Sequence, residues 1–150
     1  MKFSDRFIQF NQILAYVILF IPFRFFLHLK SKGKTAHQVI PKKNLVVANH
    51  QSLLDAFVIC SAMSFKVFLK LIPIRFMISK KYMTWWEQLF LRPIGCYTVY
   101  GDKLGNMKTM LKTINFLDDH KTIFLFPEGK IVKHKSEAHP GVAYLAAKVK

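Results

Sequence analysis

Leu45-Val46-Val47-Ala48-Asn49-His50-Gln51-Ser52-Leu53-Leu54-Asp55 passes from an apolar, valine-rich run through a polar turn into a long apolar segment. The run predicts a short buried strand. The segment from Leu53 to Leu71 predicts a helix apolar on nearly all sides, buried or against lipid, with Lys66 and Lys70 as its polar edge. His50 stands where the strand ends, and Asp55 is the lone carboxylate of the segment that follows.

The spacing restricts how these two residues can meet. On one uninterrupted α-helix, positions five apart lie about 140° from each other and share no face. For His50 to touch Asp55, the histidine must lie in the turn, with the helix starting after it. Ser52 suits the N-cap and Asp55 the third helical position, so Ser-Leu-Leu-Asp has the form of a capping box. Two readings stay open. Either Asp55 only caps the helix, or it accepts a hydrogen bond from one imidazole nitrogen and leaves the other free as a base.

The chain has 150 residues, the size of one domain or a piece of one. Lys and Arg outnumber Asp and Glu 23 to 8, for a formal charge of +15, which attracts phosphate-bearing partners. Long runs of Phe, Ile and Leu point that charge at an anionic membrane surface and not at nucleic acid. Cys60 and Cys96 stand in apolar surroundings without metal-ligand spacing and read as reduced core residues of an intracellular protein.

Phe7 to Leu29 is mostly apolar, but its unbroken run, Ile13 to Ile21, falls short of the roughly 20 residues that cross a bilayer core. It predicts a helix lying in the membrane interface, with Lys2 and Arg6 before it and Lys30, Lys32 and Lys34 after it on headgroups. A tilted spanning helix and an ordinary core helix are the alternatives. Residues 1–34 therefore form a membrane-associated helix with a basic flank, monotopic or single-span, and residues 35–150 a second unit.

Further along, strands are predicted near His37–Ile40 and at Ile74–Ser79, Cys96–Tyr100 and Thr122–Phe126. Helices are predicted at Tyr82–Leu91, which carries Trp85 and Trp86, and at Gly141–Lys148 after Pro140. A third covers Leu104–Asp119, with Leu104, Met107, Leu111, Ile114 and Leu117 on one stripe. The alternation predicts an α/β fold: a largely parallel central sheet flanked by helices and preceded by the N-terminal membrane-associated helix.

The last strand runs into Pro127-Glu128-Gly129-Lys130. Open α/β sheets bind ligands beyond the carboxyl ends of their strands, where both Glu128 and His50 fall. Taken alone, this turn reads as a plain strand exit with a solvated glutamate.

Asn49-His50-x4-Asp55 followed by Phe126-Pro127-Glu128-Gly129 resembles the glycerolipid acyltransferase family. The lead-in Val46-Val47-Ala48-Asn49-His50-Gln51-Ser52 and Gly141-x-Ala143-x-Leu145-Ala146 resemble its bacterial 1-acylglycerol-3-phosphate type. The resemblance runs from Leu45 to the end. It implies that His50 is the general base, that Asp55 is its partner, and that Phe126, Pro127, Glu128 and Gly129 help bind the acceptor. The family's intermediate Gly-x-x-Phe-(Ile/Val)-x-Arg segment aligns with Gly95–Gly101, where Thr98 replaces the aromatic and Gly101 the phosphate-gripping arginine. Lys103 and Lys130 are the cations available in its place, without the bidentate fork of a guanidinium. The family's fourth motif, an apolar strand with proline, would follow Lys150, which implies a short member or a truncated chain.

A neutral imidazole suits removal of a hydroxyl proton during acyl transfer. Free amides at the helix start near Ser52 are donors for a phosphate or an oxyanion. No serine or cysteine is poised as a nucleophile, so the expected chemistry is direct attack on a thioester donor, acyl-CoA or acyl-carrier protein, with no cofactor or metal. The expected acceptor is lysophosphatidic acid at the cytoplasmic face of the membrane. The alternatives are another lipid acceptor, or a non-catalytic basic membrane-surface protein. His28, His37, His120, His134 and His139 read as structural or solvated.

Overall fold

A computed structural model describes residues 4–29, 41–52, 54–80, 84–100, 102–131 and 137–149. Among these residues the sheet has four strands, β1 (Asn44–Val47), β2 (Ile74–Ser79), β3 (Cys96–Val99) and β4 (Thr122–Leu125). All pairings are parallel and the order is β1-β4-β2-β3. β4 stands between β1 and β2, and all four of its residues are buried, as a central strand covered on both faces requires.

Alternation along β4 divides the core. Ile123 and Leu125 pack with Leu117 of α6 (Lys103–Asp118) and Leu145 of α7 (Pro140–Val149). Phe124 points the other way, into a cluster with Tyr16, Phe20, Cys60, Phe68, Leu71 and Ile74. That side is covered by the N-terminal helix, α3 (Asp55–Ala62) and α4 (Phe65–Leu71). The result is the expected α/β architecture, a parallel sheet between two helical layers. Cys60 and Cys96 are free and buried, and desolvation pushes both thiols up to about 12.

Two predicted helices are corrected. The segment from Leu53 to Leu71 is not one helix but α3 and α4, separated at Met63–Ser64. Ser64 has extended backbone angles, and its hydroxyl accepts the Val67 N–H, so it caps a new helix where the old one stops. Lys66 and Lys70 are exposed on α4. In α6 the apolar stripe is only partly buried: Leu104, Met107 and Leu111 are 67, 59 and 56% exposed, whereas Leu117 is buried and Ile114 packs against it. The buried line is Gly105, Thr109, Thr113 and Leu117. Threonine can be buried here because Thr109 and Thr113 donate to carbonyls one turn back at 2.8 Å, and Thr113 also meets the Tyr97 hydroxyl. Gly105 lies against Tyr100, where a Cβ would overlap the tyrosine side chain, so this face approaches the chain more closely than a leucine would allow.

The N-terminal helix comprises α1 (Asp5–Ala15), a π turn (Tyr16–Phe20) and α2 (Ile21–Phe26). Its 22 residues are long and apolar enough to cross a membrane by length and composition. One stripe, Ile8, Gln12, Tyr16 and Phe20, is buried against the sheet and α3–α4. A strict four-residue spacing drifts around an α-helix, and the wider π turn winds the stripe back. Gln12 donates to the carbonyls of Ile74 and Ile94 at 2.7 and 2.8 Å and accepts the Ile74 N–H at 3.0 Å. Asp5 pairs with Arg75 and with Lys121, at the opening ends of β2 and β4. Phe20 meets Phe57, so the helix runs toward the start of α3. Its outer face exposes Phe10, Ile18, Phe25 and Phe26.

Of the remaining expectations, α5 covers Trp85–Leu91, with Trp85, Leu89 and Phe90 exposed. Tyr82, the strand near His37–Ile40, Lys2, Lys30, Lys32, Lys34 and the 34/35 boundary lie outside the described residues.

Candidate active site

β1 and β4 are neighbours in register, Val47 beside Leu125, so their exits leave the sheet side by side. The Ala48 N–H donates to the Leu125 carbonyl at 3.4 Å and extends the pairing by one step. Alternation puts Val46 and Ala48 with Phe124 and Phe126 on one face. Two residues past Ala48, His50 comes to lie on Phe126, with ring centroids 4.0 Å apart and planes 10° from parallel.

His50 Nδ1 is 3.1 Å from Asp55 Oδ2, with both side chains largely covered. The same oxygen accepts the N–H groups of Gln51 at 2.6 Å and Ser52 at 2.8 Å. Partial burial pushes the Asp55 carboxyl up, but the Ser52 and Gln51 amides and the His50 imidazole outweigh it and hold the group below its ordinary value. An ionised carboxylate only accepts, so Nδ1 carries the proton facing it and Nε2 of the neutral ring holds a lone pair.

The two open readings of Asp55 are thus one arrangement: a single oxygen caps the amides of the turn and holds the imidazole. The boundary differs from the expected capping box. Asp55 is the first residue of α3, Leu54 occupies the cap, and the Ser52 hydroxyl accepts the Leu54 N–H. The turn therefore precedes the helix instead of forming its first coil.

From the other strand, Glu128 Oε2 accepts the backbone N–H of His50 at 3.0 Å. Gly129 N–H closes a turn on the Phe126 carbonyl, and Gly129 has φ +63°, a conformation glycine adopts freely. A Cβ there would come within 2.9 Å of the His139 ring. The His139 N–H donates to the Pro127 carbonyl at 2.9 Å, and its own carbonyl accepts the Val142 N–H at the start of α7. His139, read as structural or solvated, thus braces this turn, and no local sequence signal ties it to Gly129. Lys130 is exposed at the outer end of the turn. Lys103 opens α6 beyond β3, on the far side of β2 from β4. Gly101 lies outside the described residues.

His50, Asp55, Phe126 and Glu128 therefore converge, and Pro127 and Gly129 shape the turn between them. Among the described residues, no three His, Cys, Asp or Glu side chains are grouped to hold a metal ion. An imidazole oriented by a carboxylate at the carboxyl end of a parallel sheet is equipped to accept a proton. No curated protein and no solved structure matches the chain. A family model described as Acyltransferase matches residues 30–150, which contain every residue of this site. The chain belongs to the acyltransferase family.

Proposed function

We propose that the protein moves a fatty acyl group from a thioester donor, acyl-CoA or acyl-carrier protein, to a hydroxyl of a glycerol-phosphate lipid, with lysophosphatidic acid as acceptor. The observation that carries this reading is the Asp55-held imidazole of His50. His50 Nε2 takes the hydroxyl proton as the oxygen attacks the thioester carbonyl. The tetrahedral oxyanion collapses, the C–S bond breaks, and the proton passes from the imidazolium to the departing thiolate. Asp55 fixes the tautomer throughout.

Phe126, Pro127, Glu128 and Gly129 form the acceptor side of the site, and the exposed Lys130, with Lys103, supplies charge for the acceptor phosphate. The apolar outer face of the N-terminal helix, together with the net charge of +15, supports attachment to the cytoplasmic face of an anionic membrane. The α2 end of that helix packs beside α3, which starts at Asp55, so the same attachment brings the site to the lipid.

The test is transfer of a labelled acyl group from acyl-CoA or acyl-carrier protein to lysophosphatidic acid in membranes carrying the protein. His50→Ala is expected to abolish transfer with an unchanged melting temperature. Transfer at the wild-type rate in that variant would remove the mechanism.

A further inference from the structure

The mechanism above gives Asp55 the task of holding His50 in the plane of its ring, and leaves the ring's face to be accounted for. That face lies on Phe126, nearly parallel and at a centroid distance of 4.0 Å. Phe126 is itself fixed. It packs edge-on against Phe124, with centroids 5.3 Å apart and planes at 72°. Phe124 is 1% exposed and in turn meets Phe76 at 5.4 Å. The ring under His50 is thus the last of a chain of aromatic contacts rooted in the core, and it cannot swing aside without disturbing them.

A benzene face carries partial negative charge. A neutral imidazole stacked on it gains dispersion, whereas an imidazolium gains an electrostatic attraction as well, since the contact lies well inside the range of about 6 Å over which cations and ring faces attract. An interaction stronger with the charged ring than with the neutral one lowers the barrier and not merely the ground state. We propose that Phe126 is a positioning residue for the base, whose π face stabilises the positive charge that His50 acquires on taking the acceptor's proton. This rests on the reading of His50 as general base, and it gives Phe126 a task separate from contact with the acceptor. Asp55 then acts on the ring edge, Phe126 on its face, and Glu128 on the backbone behind it.

The test keeps the shape of the ring and changes its charge. Phe126 is replaced in the full-length chain by phenylalanines carrying one, two and three ring fluorines, which draw electron density off the face. Acyl transfer from acyl-CoA to lysophosphatidic acid is measured in detergent, beside His50→Ala. The expected result is a stepwise fall in kcat, on the order of three- to tenfold across the series, with KM for the acceptor and the melting temperature nearly constant. Phe126→Leu, which keeps apolar bulk without a π face, is expected to match the trifluorinated ring. A flat kcat across the series with His50→Ala inactive overturns this proposal alone, since the ring is then only a spacer. A change in acceptor KM at constant kcat overturns it in favour of acceptor contact. Activity in His50→Ala, or a wild-type protein that transfers no acyl group, overturns the base reading and this inference with it.

Discussion

Glu128 accepts the backbone N–H of His50 at 3.0 Å across 78 residues of chain, so the turn after one strand is tied to the turn after its neighbour. A hydrogen bond to an ionised acceptor contributes about 1.5–3 kcal/mol. Glu128→Gln keeps an oxygen for this N–H, whereas Glu128→Ala leaves it unpaired. Acyl-transfer rates are expected to fall roughly ten- to hundredfold in the alanine variant and clearly less in the glutamine variant. Equal losses in the two would mean that the charge, and not the bond to His50, is what the reaction uses.

Asp55 links pH to stability. Its carboxyl is held below the ordinary value of 3.8, so its contribution is fully present above that value. The contribution disappears as pH falls through the lower value of the folded state. Melting temperature plotted against pH is expected to fall more steeply below 3.8 in the wild type than in Asp55→Asn, which cannot titrate. At neutral pH the same variant is expected to lose on the order of a hundred- to ten-thousandfold in rate, because an amide no longer enforces the Nδ1–H tautomer.

Gly129 tests the turn from outside. Alanine at φ +63° costs about 1–2 kcal/mol, and its Cβ meets the His139 ring. Gly129→Ala is expected to lower the melting temperature by roughly 2–6 °C. Adding His139→Ala should restore only part of it, since the contact is relieved and the backbone strain is not. Full restoration would assign the whole cost to the ring.

Gln12 is the polar lock between the N-terminal helix and the sheet. Gln12→Leu keeps the bulk and removes the side-chain partner of the buried Ile74 amide and of the Ile74 and Ile94 carbonyls. The expected cost is about 2–4 kcal/mol, read as a drop of several degrees in detergent melting. An unchanged melting temperature would show that the helix does not dock on the sheet in solution.

Most of the architecture was legible because the strands are short apolar runs bounded by turn residues. β2 matches its prediction from Ile74 to Ser79, and the parallel sheet follows from the alternation with helices. The break at Ser64 was hidden because a capping serine inside an apolar segment looks like a tolerated polar residue. The buried face of α6 is only half legible, because an apolar stripe does not show that Thr109 and Thr113 are buried with their hydroxyls satisfied by their own helix. In the site, each motif was visible, but the pattern of strands does not specify their order. Only with β4 beside β1 do Phe126 and Glu128 reach His50.

That order bears on how the protein comes into being. Of the four described strands β4 leaves the ribosome after the other three, yet it fills the slot between the first two. A nascent chain halted before Thr122 already owns the local His50–Asp55 pair, but nothing lies beneath the imidazole or anchors its amide. Competence therefore waits on one four-residue segment entering the gap between β1 and β2, a long-range closure of the kind that makes folding slow.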